Sequence, residues 1–443
     1  MGWYPSTLQL EAASVQVSIL SIITFGGLGI HDALAQGQDA SVFRKRDLAY
    51  SQLAYHLVSA FFSFFITPFL CQIGVRKLTL LATILSCIEG INEAATFSWW
   101  NKNTFSLIIT GFTSSLASSL LWMIIFAIVC GYSTPADRSR YIAISWSLMH
   151  LGGSINAVVN IPTVQYVRFI SMTLVIVLCS IISIYFCMLL VEPALVVRPD
   201  GSYANTYKIS SVGSVTHELM AIFRAANPNT ILMLPTAVTS IWTRPIQLEY
   251  LTEILTPTQA KGNLAYAVYF LIQGAVVWLL PPLLDKRRIS PKIVYSAGML
   301  STVLIMLLTV AHLYSDPVLD LTTTRPDSTK TAISLMAGLG VSDCLLSTFI
   351  MWDTSVLGQG NARKCVRVGS FFQGWQSVSG ALAWLWTNSS FFTLKLHCWL
   401  TIFFTLLSFP LGIAACDLLP DLDGTVQDDD QTCESFYSLY IPS

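Results

Sequence analysis

Twelve stretches of about twenty predominantly apolar residues run through this chain, the length a helix needs to cross ~30 Å of hydrocarbon at 1.5 Å per residue. They lie near 14–36, 49–72, 78–99, 104–131, 141–163 and 167–191, and then near 229–251, 263–284, 291–314, 330–357, 367–388 and 393–415. No other feature narrows the choice of fold as far. Only 11% of the 443 residues are charged while 53% are hydrophobic, whereas a soluble domain carries about 25% charged residues. Such a chain cannot cover a water-facing surface, but it suits an apolar exterior in which every helix pairs its own backbone groups. The expectation is an all-α, polytopic membrane protein of about twelve transmembrane helices, with the lipid bilayer as its first partner.

Charge placement then organises the spans. The longest hydrophilic interval, 192–228, contains Arg198-Pro-Asp-Gly, Lys208, Glu218 and Arg224, and divides the spans six and six. The expected division is a six-helix half over 1–191, a cytoplasmic linker over 192–228, a second half over 229–415 and an acidic tail over 416–443. The tail carries Asp421, Asp423, Asp428, Asp429 and Asp430 with little apolar pattern, the composition of a segment without a packed core. Fourteen of the 24 basic residues fall in loops 2–3, 4–5, 6–7, 8–9 and 10–11, among them Arg76, Lys77, Arg138, Arg140, Arg287, Arg363 and Arg367. Because cytoplasmic loops carry the Lys and Arg excess, both termini are expected in the cytoplasm of a plasma or other endomembrane protein. The absence of Lys and Arg from the first dozen residues argues against a basic signal-peptide n-region, so span one is expected to remain as an anchor.

The two halves echo each other. Trp122, Arg138-Ser-Arg140 and Gly152-Gly153-Ser154 have counterparts in Trp352, Arg363-Lys364 with Arg367, and Gly374 to Gly380; Trp122 and Trp352 are 230 positions apart and Arg140 and Arg367 are 227 apart. The run from Leu121-Trp-Met through Tyr132-Ser-Thr134 to His150-Leu-Gly-Gly-Ser154, together with Ile73-Gly-Val-Arg-Lys77, Asp343 and Gly369 to Gly380, resembles the UNC-like (uncoordinated-type) membrane proteins of the major facilitator superfamily, especially fungal ones. The resemblance covers nearly the whole chain. It implies the major facilitator arrangement of 6+6 pseudo-symmetric halves with a substrate site between them near the midplane. It also implies two functions, since some relatives look like carriers and others like regulators of a channel or escorts of receptors. Three positions depart from the family pattern. His31-Asp32-Ala-Leu34 stands where relatives tend to have Phe-Asn-Ala-Leu; Cys71 replaces the acid before Gly74-Val-Arg76; and Asp285-Lys-Arg-Arg288 keeps the acid but lacks the glycine.

Ionisable groups at membrane depth cost at least about 2.5 kcal/mol on insertion scales, so they mark candidate pathways for substrate or ion. In span three, Glu89 and Glu93 lie at i, i+4 with Asn92 beside them, one face that could share a proton or else end at the outer interface. His31 and Asp32 close span one, where a carboxylate could hold an imidazole in its charged form, although adjacent helical positions point about 100° apart. Arg244-Pro245, followed by Gln247 and Glu249, is the most unusual cluster of the second half: it either lines a cavity, where a proline-freed backbone is tolerated, or snorkels. Of Asp343 and Asp353 in span ten, Asp343 is the deeper and is matched by the family. His150 reads first as a core histidine bonded to a backbone carbonyl, and the small-residue runs Thr113 to Ser119 and Gly374 to Gly380 as packing faces. Asn388-Ser-Ser390 is an N-glycosylation acceptor sequence close to the membrane.

Other chemistry is not indicated. Net charge is −1, which offers nothing to nucleic acid. The ten cysteines lie mostly inside apolar spans without C-x-x-C spacing and read as small hydrophobes rather than metal ligands. There is no P-loop, G-x-S-x-G, H-E-x-x-H or dinucleotide fingerprint, so neither an enzyme nor a cofactor is expected. The leading expectation is a secondary transporter of a small solute. The alternative is a non-transporting regulator or escort with a membrane-protein partner.

Overall fold

The computed structural model describes residues 10–30, 45–98, 104–161, 165–204, 213–224, 227–247, 259–285, 289–315, 326–387 and 393–419. Its elements are all helical apart from two isolated bridges that tie Val197 of the linker to Ala12 and Tyr203. In the first half, α1 (Ala13–Thr24) continues as a π turn over Phe25–Gly29; α2 (Lys45–Ile73), α3 (Val75–Ser98) and α4 (Thr104–Ile125) follow, the last passing into a π turn at Phe126–Cys130; then come α5 (Arg138–Val159) and α6 (Gln165–Leu189). The linker holds α7 (Gly213–Arg224). The second half comprises α8 (Pro228–Trp242), α9 (Gln259–Val276), α10 (Pro291–Ser315), α11 (Pro326–Gly358), α12 (Ala362–Thr387) and α13 (Leu394–Asp417).

Eight of the described helices are long and apolar enough to span a membrane by themselves: α2, α4, α5, α6, α9, α10, α11 and α13. The other four expected spans are not among them. Of the predicted span 14–36, the described apolar helix covers Ala13–Gly29, and its residues from 31 on lie outside the described residues. The first turn of α3 carries Arg76 and Lys77, and its later turns Glu89 and Asn92. α12 opens with Arg363, Lys364 and Arg367 and continues through Gln373 and Gln376. α8 is interrupted at Thr243, where Pro245 can give no backbone donor, and resumes as the single turn Arg244–Ile246. The described part of the predicted span 229–251 is therefore a broken helix.

The packing scheme of the first half recurs in the second. α1 packs on α5 and α6, α2 on α4, and α3 on α4 and α6; six spans later, α8 packs on α12 and α13, α9 on α11, and α10 on α11 and α13. This is the 6+6 pseudo-symmetry expected from the sequence. The halves meet along α2 with α12 and α5 with α9. Small residues permit these approaches. A Cβ on Gly374 would sit 2.4 Å from the Phe64 ring and one on Gly380 2.5 Å from the His56 ring, so the small-residue run of α12 is the seat for aromatic side chains of α2. Gly152 is the counterpart inside the first half: its Cβ would lie 2.4 Å from the carbonyl oxygen of Phe25, in the close crossing of α1 and α5.

Outward faces are apolar. Leu57, Phe61, Leu174, Ile181, Leu304 and Phe403 are all more than half exposed, which suits contact with acyl chains rather than water. Polar residues turn inward instead, many of them Ser and Thr bonded to the preceding helical turn, as Thr79 is to Val75 and Thr405 to Thr401.

Candidate functional site: an inter-half cavity

A cavity of about 80 Å³ lies between the halves, space for several water molecules. From the first half it is lined by Tyr55 and His56 of α2, Trp122 of α4, and Trp146, Met149 and His150 of α5. The second half contributes Ser240 and Arg244 around the break in α8, Tyr269 and Gln273 of α9, Asp343 of α11, and Gln373 and Gln376 of α12. The interruption of α8 sets Arg244 here: proline-terminated helix geometry places a guanidinium at the cavity wall instead of on the lipid face.

Asp343 organises the second-half side. Its Oδ2 accepts hydrogen bonds from Gln247 Nε2 and Tyr269 Oη, both at 2.7 Å, so one carboxylate joins α11, α9 and the segment after the α8 break. Bonds to a carboxylate are shorter and stronger than neutral ones, and this one fixes the ring of Tyr269 toward the cavity. Arg244 acts electrostatically on Asp343, and also on His56 and His150 across the divide between the halves. The first-half wall is aromatic. Trp146 stacks on His150 with ring centroids 4.6 Å apart, and Trp122 lies 6.1 Å from Trp146. His150 Nδ1 meets the carbonyl of Trp146 at 2.9 Å. The expected backbone-bonded histidine is therefore also a cavity residue. Trp146 Nε1 is buried with no acceptor among the described residues. The cavity thus presents a cation, an acceptor carboxylate, several amides and an indole donor against stacked aromatic faces.

The remaining candidates are distributed elsewhere. Glu89 is buried at 2% exposure in α3 and does not line this cavity. Asn92 donates to Thr110 Oγ1 of α4 at 2.8 Å. Asp353 is fully buried and lies apart from Asp343, in keeping with their ten-residue spacing. Gly153 packs against the ring of Phe270. His31, Asp32, Glu249 and Asn388, and the side chains of Cys71 and Glu93, lie outside the described residues. Sequence reasoning missed His56, Tyr269, Gln273 and Gln376. A signal existed for α9, because Tyr269 and Gln273 stand at i, i+4 and share one face; His56 offered none, being one of several scattered polar residues, with Ser51, Gln52 and Ser59, in its span.

Below the cavity, the end of the bundle that carries the linker is closed by polar contacts. Ser133 and Ser355 share a hydrogen bond at 2.8 Å, and Ser355 Oγ also donates to the carbonyl of Cys130 at 3.1 Å. Arg198 of the linker donates from Nη2 to the carbonyls of Gly131 in loop 4–5, at 2.8 Å, and Gly360 in loop 10–11. Burial pushes its pKa down from the ordinary arginine range, opposed by the nearby Asp200. Asp285 accepts the backbone N–H groups of Ser139 and Arg140 at 3.0 and 3.2 Å, which caps the N-terminus of α5 with a carboxylate. Arg138, buried beside it, belongs to the same cluster. At α12, Glu218 of the linker helix ion-pairs with Arg363 and Arg367; Arg367 donates from Nε and Nη2 at 3.1 and 2.8 Å.

No protein-family profile matches the chain. Curated relatives are distant. UNC93-like protein 1 and UNC93-like protein 2 of Arabidopsis thaliana are each 21% identical over 385 residues, which is 83% of this chain and 82% of theirs. An uncharacterized membrane protein of Schizosaccharomyces pombe is 23% identical over 310 residues, 63% of this chain, and the match spans 60% of that protein's length. Among solved structures, the major facilitator superfamily transporter FucP, in its outward conformation, superposes with a TM-score of 0.61 at 11% identity, covering 93% of this chain and 100% of FucP. The fold is that of a major facilitator protein, and the sequence relatives together with that fold fit an UNC-like family of major-facilitator type.

Proposed function

We propose that this UNC-like, major-facilitator-type chain is a secondary transporter that moves a small polar solute by alternating access, with the solute held in the inter-half cavity. One observation carries the reading: ionisable residues of the second half, Arg244 and Asp343, face an aromatic and imidazole wall supplied by the first half in a single cavity. Rocking of the halves would open that cavity to either side in turn. Arg244 is assigned to an anionic or acceptor group of the solute, Asp343 to a donor or a coupled proton, and Trp122 and Trp146 to its apolar face. Glu89 is retained as a candidate for an ion path through the first half. In this reading the linker end is cytoplasmic, with both termini on that side, and the chain is not an enzyme.

The experiment is reconstitution into proteoliposomes, with proton flux and solute-library uptake compared between the intact protein and its Arg244→Ala and Asp343→Asn variants. Flux lost in both variants, with Glu89→Gln tested in parallel, supports the assignment; undiminished flux in all three refutes it. A second reading, a non-transporting regulator or escort, is favoured by the interlocked linker end, where Glu218 and Arg198 make contacts that every transport cycle would have to break. Folded protein with no flux for any solute, together with a stably co-purifying membrane protein, would decide for it.

A further inference from the structure

A second, larger cavity of about 620 Å³ lies at the linker end under the first half. Its walls are the junction of α2 and α3, the ends of α4 and α6, and the first turns of α12. Leu70, Val75, Leu80 and Val366 make it apolar inside. Its cations are Arg76 and Lys77, both exposed in the first turn of α3, and Arg363 of α12. Among the described residues, Glu192 is its single acid. Arg363 is ion-paired with Glu218, whereas the contact made by Arg76 is with the thioether of Met188 at 3.8 Å. At Gly74, φ +88° turns the chain between α2 and α3, and a Cβ there would meet nothing within 4 Å, so the junction opens onto space. The rim is apolar and outward-facing: Ile73 and Met188 are 42% and 50% exposed, as are the residues of the lipid-facing belt.

We infer that this cavity is a site for an anionic glycerophospholipid, with the phosphate and headgroup held by Arg76 and Lys77 and the upper acyl chains laid on the apolar wall. The charge balance selects an anion, because two cations lack a carboxylate partner among the described residues and the lone acid cannot neutralise both. The apolar lining and the bilayer-level rim select a lipid over a soluble phosphate compound, which would leave Leu70, Val75 and Val366 uncovered. The position has a structural cause. Position 71 holds cysteine where the family pattern has an acid, so the basic residues that follow in this loop receive no counter-charge from their own motif. Because α12 forms one wall, the bound lipid bridges the first half to the second at the end that Arg198 and Glu218 also close. The inference does not depend on whether a solute moves through the protein.

Native mass spectrometry of the full chain, released from nanodiscs that contain equal amounts of dioleoyl phosphatidylserine and dioleoyl phosphatidylcholine, tests it. The expected result is preferential retention of phosphatidylserine, reduced about fivefold by Arg76→Gln or Lys77→Gln and removed by the double variant, at ~1 kcal/mol per basic residue near an anionic surface. Lys292→Gln removes a cation from the opposite half and is expected to leave the preference unchanged. Equal retention of both lipids, or a preference that survives the double variant, overturns the site. Competition by glycerophosphoserine as strong as that by the lipid overturns the lipid assignment in favour of a soluble phosphate. Phosphatidylserine preference that appears only after truncation at Leu419 overturns it in favour of the chain's own acidic tail.

Discussion

Loop 2–3 and loop 8–9 occupy equivalent places in the two halves and are held in different ways. In loop 8–9, Asp285 remains and caps the N-terminus of α5, a helix of the other half. Loop 2–3 has cysteine at the corresponding position, and the helix that its acid would reach by symmetry, α12, is instead secured by Glu218 of α7 through Arg363 and Arg367. The closing charge therefore need not come from the repeat itself. A carboxylate supplied by the linker holds α12 electrostatically instead, and it ties the linker helix to the second half. The stacking of Phe223 of α7 on Phe64 of α2, with centroids 5.5 Å apart, positions that helix across the seam between the halves.

Glu218→Ala should disturb the linker end most. Its carboxylate is fully buried and both arginines are only 14% exposed, so the substitution takes a shared, desolvated carboxylate from two guanidinium groups and should cost about 3–5 kcal/mol. A thermal unfolding scan in detergent should show a midpoint several degrees lower, and a drop of under one degree would mean that α7 is not a structural latch. Arg198→Ala removes charge-assisted bonds to loops from both halves and should cost about 1.5–3 kcal/mol in the same assay. For Asp285→Asn, which keeps the shape of the cap and removes its charge, the expected loss is about 0.5–2 kcal/mol; a loss equal to that of Glu218→Ala would show the two ends to be equivalent after all. The finest test restores the missing acid. Cys71→Asp in a Glu218→Gln background should recover about 1 kcal/mol through the helix dipole and nearby cations, and no recovery would show that loop 2–3 has lost the geometry as well as the residue.

Much of this architecture could be read from residues, and the parts that could not have physical reasons. Apolar length located the spans, but among the described helices α3 and α12 carry charged and polar residues that lower their apolar content, and α8 is broken at Thr243. For Arg244-Pro245 the residues left two readings open, a cavity lining or a snorkelling arginine, and it is the fold that puts Arg244 at the cavity wall; Asp343 stood out because depth made it expensive. His56 and Trp146 were not legible: their role comes from α2 and α5 facing α12 and α9, a tertiary relation that no local pattern encodes. Glu218 was visible only as one acid in a polar linker. Its partners lie 145 and 149 positions downstream in Arg363 and Arg367, and nothing short of the fold brings them together.

In the proposed cycle the halves rock about a cavity at Arg244 and Asp343 while the linker end alternately closes and opens. Electron-spin distance measurement tests it whatever the solute is, using labels at Ala136 in loop 4–5 and Lys364 at the start of α12 in nanodiscs. A rocking protein should give two distance populations, and Glu218→Gln should shift weight toward the longer one. A single distance, unchanged by that substitution and by every solute added, would contradict alternating access and leave a fixed scaffold in its place.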